Sequence, residues 1–299
     1  MAIPRELWVQ AINENLFTSI DKIKSAATDD SQYLNAKTVH VPTAGTSGTI
    51  LKNPARPLTV ATRTDNDLSY DIDEWVMPSR LVPFSDGAHL AYDKLQSLVN
   101  DIMGGIGQRV LRELLINWYT DDTYKVATTG SAYVGHAPGA TGNRKGLTFG
   151  DLLSAAAKLD KQDYSDSDRY AFIDTTMFYQ LLDEVGITAY RDAAVMDAAS
   201  GKLPKLAGFQ LVPLPHVAYV DSSDAIRAYG NAGAAADNAV ALLGHKSAFS
   251  WAVGDVKVFT NADDAIYAGD IVSGAIMAGG KYRRYDKLGV IPVIQDASA

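Results

Sequence analysis

The chain contains no cysteine, which excludes disulfides, thiolate metal sites and a cysteine nucleophile outright. Its five histidines, His40, His89, His136, His216 and His245, are scattered, and no two stand at the spacing that puts two metal ligands on one helix face. Positive charge is in deficit. There are 27 Lys and Arg against 35 Asp and Glu, a net charge of −8, so no global basic field draws this chain onto nucleic acid. No window approaches ~18 uninterrupted apolar residues, so no transmembrane helix is expected. The opening residues, MAIPRELWVQAINENLF, carry Arg5 and Glu6 and lack the apolar core of a signal peptide. Together these absences predict a soluble protein made and kept in a cytoplasm-like compartment.

Catalytic motifs are missing as well. Gly45 to Gly48 is one residue short of a nucleophile elbow and does not lie between a strand and a helix. Gly105 and Gly107 lack the third glycine of a dinucleotide fingerprint and fall inside a helical pattern. The glycine-rich stretch 128–146 holds Arg144 and Lys145, but the glycine–lysine–serine/threonine order of a phosphate loop is absent, so a surface loop is expected. Asp71, Asp73 and Glu74 resemble a weak hard-cation cluster, though a solvated strand face explains them better. Lys281 to Arg284 forms a small basic knot, for which pairing with Asp286 or with another subunit is the safer reading. No cofactor, metal site or catalytic residue is expected, and the chain does not read as an enzyme.

What is present is a core of ordinary richness, with 47% apolar and 21% charged residues over 299 positions. Its organising element runs from Asp86 to Tyr119. Leu95, Leu98, Val99, Ile102, Met103, Ile106, Val110, Leu114, Leu115 and Trp118 recur at spacings of three and four, the apolar stripe of one long helix. Ser85 or Asp86 would cap it, and about 30 helical residues would span about 45 Å. Gly104, Gly105 and Gly107 each cost roughly 1 kcal/mol relative to alanine there, so a bend or a close backbone crossing is expected.

Around this beam the pattern changes three times. Residues 1–35 carry one amphipathic segment, an arm. Residues 37–83 alternate as strands broken by Asn53, Pro54 and Pro57, which predicts a long protruding β-hairpin too polar to be a core sheet. From Leu147 to Leu243 helices and strands alternate: a helix at 151–159, a strand at 170–174, a helix from Thr176 ended by Gly186, a helix at 192–199, a strand at 208–213 closed by Pro213 and Pro215, and a buried strand at 239–243. Residues 255–295 then read as a terminal antiparallel sheet, including Val290 to Ile294, packed on the long helix.

This order of parts resembles the major capsid protein of tailed bacteriophages, the Hong-Kong-97-type fold. The local resemblance is carried by Lys37 to Pro42 with Gly45, Arg63 to Tyr70, Ile72 to Glu74, Tyr92 to Lys94 and Asn117 to Tyr119. It implies an α+β capsid fold with an N-terminal arm (1–36), an extended loop (37–83), a peripheral domain with the spine helix (84–127 and 250–299) and an inserted axial α/β domain (128–249). It further implies hexamers and pentamers of the chain itself, a separate scaffold protein, a portal, a decoration protein, and an icosahedral shell enclosing double-stranded DNA without reading its sequence. The location implied is the virion, after synthesis in the bacterial host cytoplasm. Some members crosslink through a lysine and an asparagine, and Lys52 and Asn53 lie in the hairpin. Candidate contacts between subunits are Arg56, Arg63, Asp65, Asp71 and Arg80. Two other readings compete: an encapsulin-like nanocompartment shell, and an α/β enzyme using Asp174 or Asp192 with Arg144 and Lys145 as anion holders.

Overall fold

The structure, a computed structural model of the chain, describes residues 23, 25–34, 37–45, 48–58, 60, 62–84, 94–121, 123–189 and 205–297. Its elements in chain order are β1 (Thr28–Asp29), β2 (Thr38–Thr43), β3 (Asn66–Asp71), β4 (Asp73–Pro83), α1 (Lys94–Asn117), β5 (Val126–Ala127), β6 (Ala132–Val134), β7 (Asn143–Lys145), α2 (Phe149–Asp160), β8 (Arg169–Asp174), α3 (Thr175–Ala189), β9 (Lys205–Leu206), β10 (Phe209–Leu214), β11 (Tyr219–Val220), β12 (Asn238–His245), β13 (Ser250–Asp264), β14 (Gly269–Gly279) and β15 (Val290–Ile294). Two larger sheets carry the fold, in the orders β1-β13-β14-β4 and β5-β15-β12-β8-β10-β9, with β11 attached to β12 in the second. Two hairpins, β2–β3 and β6–β7, stand apart from them.

Strands β8, β12 and β15 are almost wholly buried because both faces of their sheet are covered. Alternate residues divide between two cores. Tyr170, Phe172, Val240, Leu242, Val290 and Ile294 join the cluster built on α1, while Ala171, Ile173, Ala241, Leu243, Ile291 and Val293 join the one under α2 and α3. A period of two with both phases apolar reads in the sequence as an unbroken hydrophobic run.

The buried stripe of α1, from Val99 through Ile102, Met103, Ile106, Val110 and Leu114 to Trp118, follows the sequence spacing. It packs on β14, and the close approach is made at Gly274, where an added Cβ would stand 2.5 Å from the Met103 methyl carbon. Among the helix glycines, Gly104 has nothing within 4 Å of such a position, and Gly105 meets only Met77 at 3.8 Å. At Gly104 and Gly105 no close crossing is made, and a close approach lies instead at Gly274 of the sheet. Trp118 joins the two larger sheets: its ring centroid lies 5.3 Å from Phe172 of β8 and 5.0 Å from Phe249 beside β13, and its Nε1–H donates to the Ser250 carbonyl at 2.8 Å.

Several expectations are corrected. β15 does not join β13 and β14; it pairs antiparallel with β12 and parallel with β5, because a strand apolar on both faces needs a sheet covered on both sides. Residues 73–83 do not stay in the protruding hairpin. They form β4, hydrogen-bonded along β14, and Val39, Tyr70 and Ile72 of the hairpin base make a small core of their own with Ala252. Helix α3 runs through Gly186 to Ala189, since its preceding turns are already anchored by Met177, Phe178 and Leu181. Pro213 lies inside β10 rather than closing it. β9 pairs only with Phe209 and Gln210, so the missing N–H of Pro213 is not needed on that side. The segment 85–93, most of the arm, the 192–199 helix and Asp192 lie outside the described residues.

Candidate functional site

The β2–β3 ladder ends at the pair Thr43 with Asn66. Residues 48–58, 60 and 62–65 are all exposed, and they include the apolar side chains Ile50 (97% exposed) and Val60 (94%). A loop that presents such residues to water gains nothing from hydrophobic burial within its own chain.

Its root, by contrast, is fixed. Arg63 and Asp65 form an ion pair, Nε to Oδ1 at 2.6 Å, with a second contact from the guanidinium to Oδ2 at 2.9 Å. The Gly45 N–H also donates to Asp65 Oδ1 at 2.9 Å. These bonds hold the Asp65 carboxyl below the usual carboxylate range and push the Arg63 guanidinium up. Only glycine fits at 45, because a Cβ there would stand 1.9 Å from the Thr64 carbonyl oxygen. Below the root, burial pushes the Tyr70 phenol up to about 12, and the Ser250 hydroxyl donates to it at 3.0 Å. Asp30, buried beside the sheet, is paired with Arg283 at 3.1 Å; burial raises its carboxyl pKa, and the guanidinium partly offsets that rise.

The five contact candidates are all exposed, as their sequence setting implied. Arg63 and Asp65 are brought together, Asp71 accepts from the Thr38 hydroxyl at 2.6 Å, and Arg56 and Arg80 stand apart in the loop and on β4. Arg284 of the basic knot pairs with Asp286. Asp71, Asp73 and Glu74 belong to no group of three or more ligating side chains, and none occurs among the described residues.

Arg144 and Lys145 are not anion holders. Arg144 is buried and donates to Asn238 Oδ1 at 2.6 Å and to the carbonyls of Thr141, Asn143, Ala235 and Asp237, stapling two loops together. Lys145 pairs with Asp296 at 3.3 Å. A burial this complete leaves no N–H free for phosphate.

Sequence reasoning missed one cavity. It has a volume of ≈ 310 Å³, lies where β8 and β10 end, and is bounded by α1; Arg112, His136, Asp174, His216 and Tyr229 line it. Burial pushes both imidazoles below their ordinary range, Arg112 pushes His216 further down, and Asp174 pulls both back up. These residues are up to 117 positions apart in the chain, so no local pattern could have grouped them. Burial thus favours the neutral form of both imidazoles.

No family model and no curated protein matches the sequence. Solved structures do match over most of their length. The capsid structure of the cyanophage P-SCSP1u is 21% identical, with a TM-score of 0.65 over 91% of this chain and 86% of that one. Mycobacterium phage Che8 is 16% identical, with a TM-score of 0.61 over 91% and 90%. The capsid of the native GTA particle is 14% identical, with a TM-score of 0.58 over 92% and 90%. The chain has the mixed α+β fold of these capsid structures.

Proposed function

We propose that this chain is the major capsid protein of a tailed bacteriophage, the structural subunit of the head shell. The observation that carries the reading is a fold shared with capsid structures along about nine-tenths of the chain. The exposed residues 48–58, 60 and 62–65 support it, because a firmly rooted segment with bare apolar side chains is suited to a neighbour's surface. On this reading the chain has an arm, an extended loop that ends before β4, a peripheral domain built on α1, and an inserted domain whose sheet also takes in β15. Arg56, Arg63, Asp65, Asp71 and Arg80 then make contacts between subunits. The partners are further copies, as hexamers and pentamers, with a scaffold protein and a portal, around double-stranded DNA. The chain is made in the host cytoplasm and ends in the virion.

An encapsulin-like shell has no observation of its own in favour. An α/β enzyme has no observation of its own in favour either: Asp174 lines a cavity with His136 and His216, and Asp192 lies outside the described residues.

Sedimentation and negative-stain microscopy of the purified protein, alone and with its scaffold, test the proposal across a salt series. The expected result is hollow icosahedral particles whose yield depends on salt, since exposed charges are screened within about 10 Å at 0.1 M. A single small species under every condition would overturn it.

A further inference from the structure

The cavity lined by Arg112, Asp174 and the two imidazoles plays no part in the shell reading, and its place and charges suit a small ligand. It lies off the carboxyl ends of two adjacent parallel strands, since Leu214 and Asp174 are the last pair of β10 with β8. The crevice at such strand ends is where open α/β sheets take their ligands. Its ≈ 310 Å³ stands at the lower end of the roughly 300–1,000 Å³ usual for small-molecule sites. Buried Ala137, Ala218 and Ala239 form its floor, and exposed Pro215, His216 and Tyr229 stand at its mouth.

Two charges of opposite sign line this space without meeting. Tyr229 carries two guanidiniums, Arg109 at 3.4 Å from the ring centroid and Arg112 at 5.6 Å. Arg109 is neutralised by Glu113 at 2.7 Å. Among the described residues Arg112 has no carboxylate within ion-pair distance, and it donates only to the Tyr229 hydroxyl at 3.4 Å. The Asp174 carboxylate accepts from the Thr176 N–H through Oδ2 at 2.8 Å, and no Lys, Arg or His among the described residues pairs with it. Both charges nevertheless reach the same imidazole, for Arg112 pushes His216 down and Asp174 pulls it up.

The ligand class follows from this balance. With both imidazoles favoured as neutral, one cation and one carboxylate remain, so the cavity as a whole attracts neither an anion nor a cation. A ligand that carries both charges can bond at both ends, and charge-assisted hydrogen bonds are the strong ones. Between those ends the walls are apolar, with Ile116 and Val217 beside the three alanines. We propose that the cavity binds a small zwitterion of the α-amino-acid type, its carboxylate on Arg112, its ammonium on Asp174 and an apolar side chain against the alanine floor.

The test is isothermal titration of the full chain, as free subunits, with L-phenylalanine, 3-phenylpropanoate and 2-phenylethylamine. These share one side chain and differ in which charges they carry. L-Phenylalanine is expected to bind saturably, and each singly charged analogue to bind about tenfold or more weakly, the loss of one hydrogen bond to a charged group. Arg112→Gln should bind L-phenylalanine no better than 2-phenylethylamine, and Asp174→Asn no better than 3-phenylpropanoate. Partial unfolding cannot produce that crossed pattern. The inference is overturned by an absence of saturable L-phenylalanine binding, by equal binding of all the ligands to the parent chain, or by variants that keep the parent's preferences. Where a variant melts early, the titrations of the parent chain decide. Because no assembly is involved, a failure here leaves the shell reading untouched.

Discussion

Every residue of β12 from Asn238 to Gly244 is buried, whereas every residue from 48 to 58 is exposed. Both stretches carry apolar side chains, but they differ in what surrounds them. β12 has a hydrogen-bonded strand on each side and a helix-covered core on each face, so it draws its stability from its own chain. The loop has its root, the Arg63–Asp65–Gly45 clasp, and beyond it the described residues 48–58 and 60 are all exposed. The contrast separates residues that make the subunit from residues that make the subunit useful to a neighbour. Perturbing the first kind should change melting, and perturbing the second should change assembly.

The sharpest test is Trp118→Ala. It removes the ring packed on Phe172 and Phe249 and orphans the Ser250 carbonyl, and a loss of roughly 3–5 kcal/mol is expected in urea unfolding. A loss under about 1 kcal/mol would mean that the two sheets are not welded there. Leu114→Ala, buried in the same cluster, should cost roughly 2–5 kcal/mol, at the lower end if Gly280 and its neighbours close over the gap.

Acid should act more gently and on one side only. His136, His216 and His245 all have folded-state pKa values below the ordinary imidazole value, so below about pH 6.5 the unfolded chain takes up protons first. Stability is therefore unaffected by these groups above that pH. It falls as pH drops towards their folded values, and levels off beneath them. In the double variant His136→Gln, His216→Gln this part of the profile should flatten, as thermal melts from pH 7.5 to 5 would record. An unchanged slope would mean that the cavity histidines are as free in the folded chain as in the unfolded one.

Smallest for folding, and largest for assembly, is removal of the loop. Replacing residues 46–60 by a short Gly-Ser turn should move the unfolding free energy by no more than about 0.5 kcal/mol, since every described residue of that stretch is exposed. Closed particles should disappear. Normal particles from this variant would end the view of the loop as a strap between subunits.

Much of this was readable beforehand. The stripe from Val99 to Trp118 announced α1, and the alternation of residues 38–43 and 66–71 announced the hairpin, because helix and strand periods are written into neighbouring residues. The exposure of Arg56, Arg63, Asp65, Asp71 and Arg80 followed from polar settings in the same way.

By itself the sequence determined the kinds of element, their order, the absence of thiol chemistry and the excess of negative charge, since each of these depends on composition or on residues a few positions apart. Only the tertiary structure decided which sheet received Val290 to Ile294, that Arg144 is sealed among carbonyls, that β4 leaves the hairpin for β14, and that His136, Asp174 and His216 line one cavity. The physical reason is that a strand's pattern states how many of its faces must be covered but not by what. The choice among distant partners is made by the packing of the whole chain.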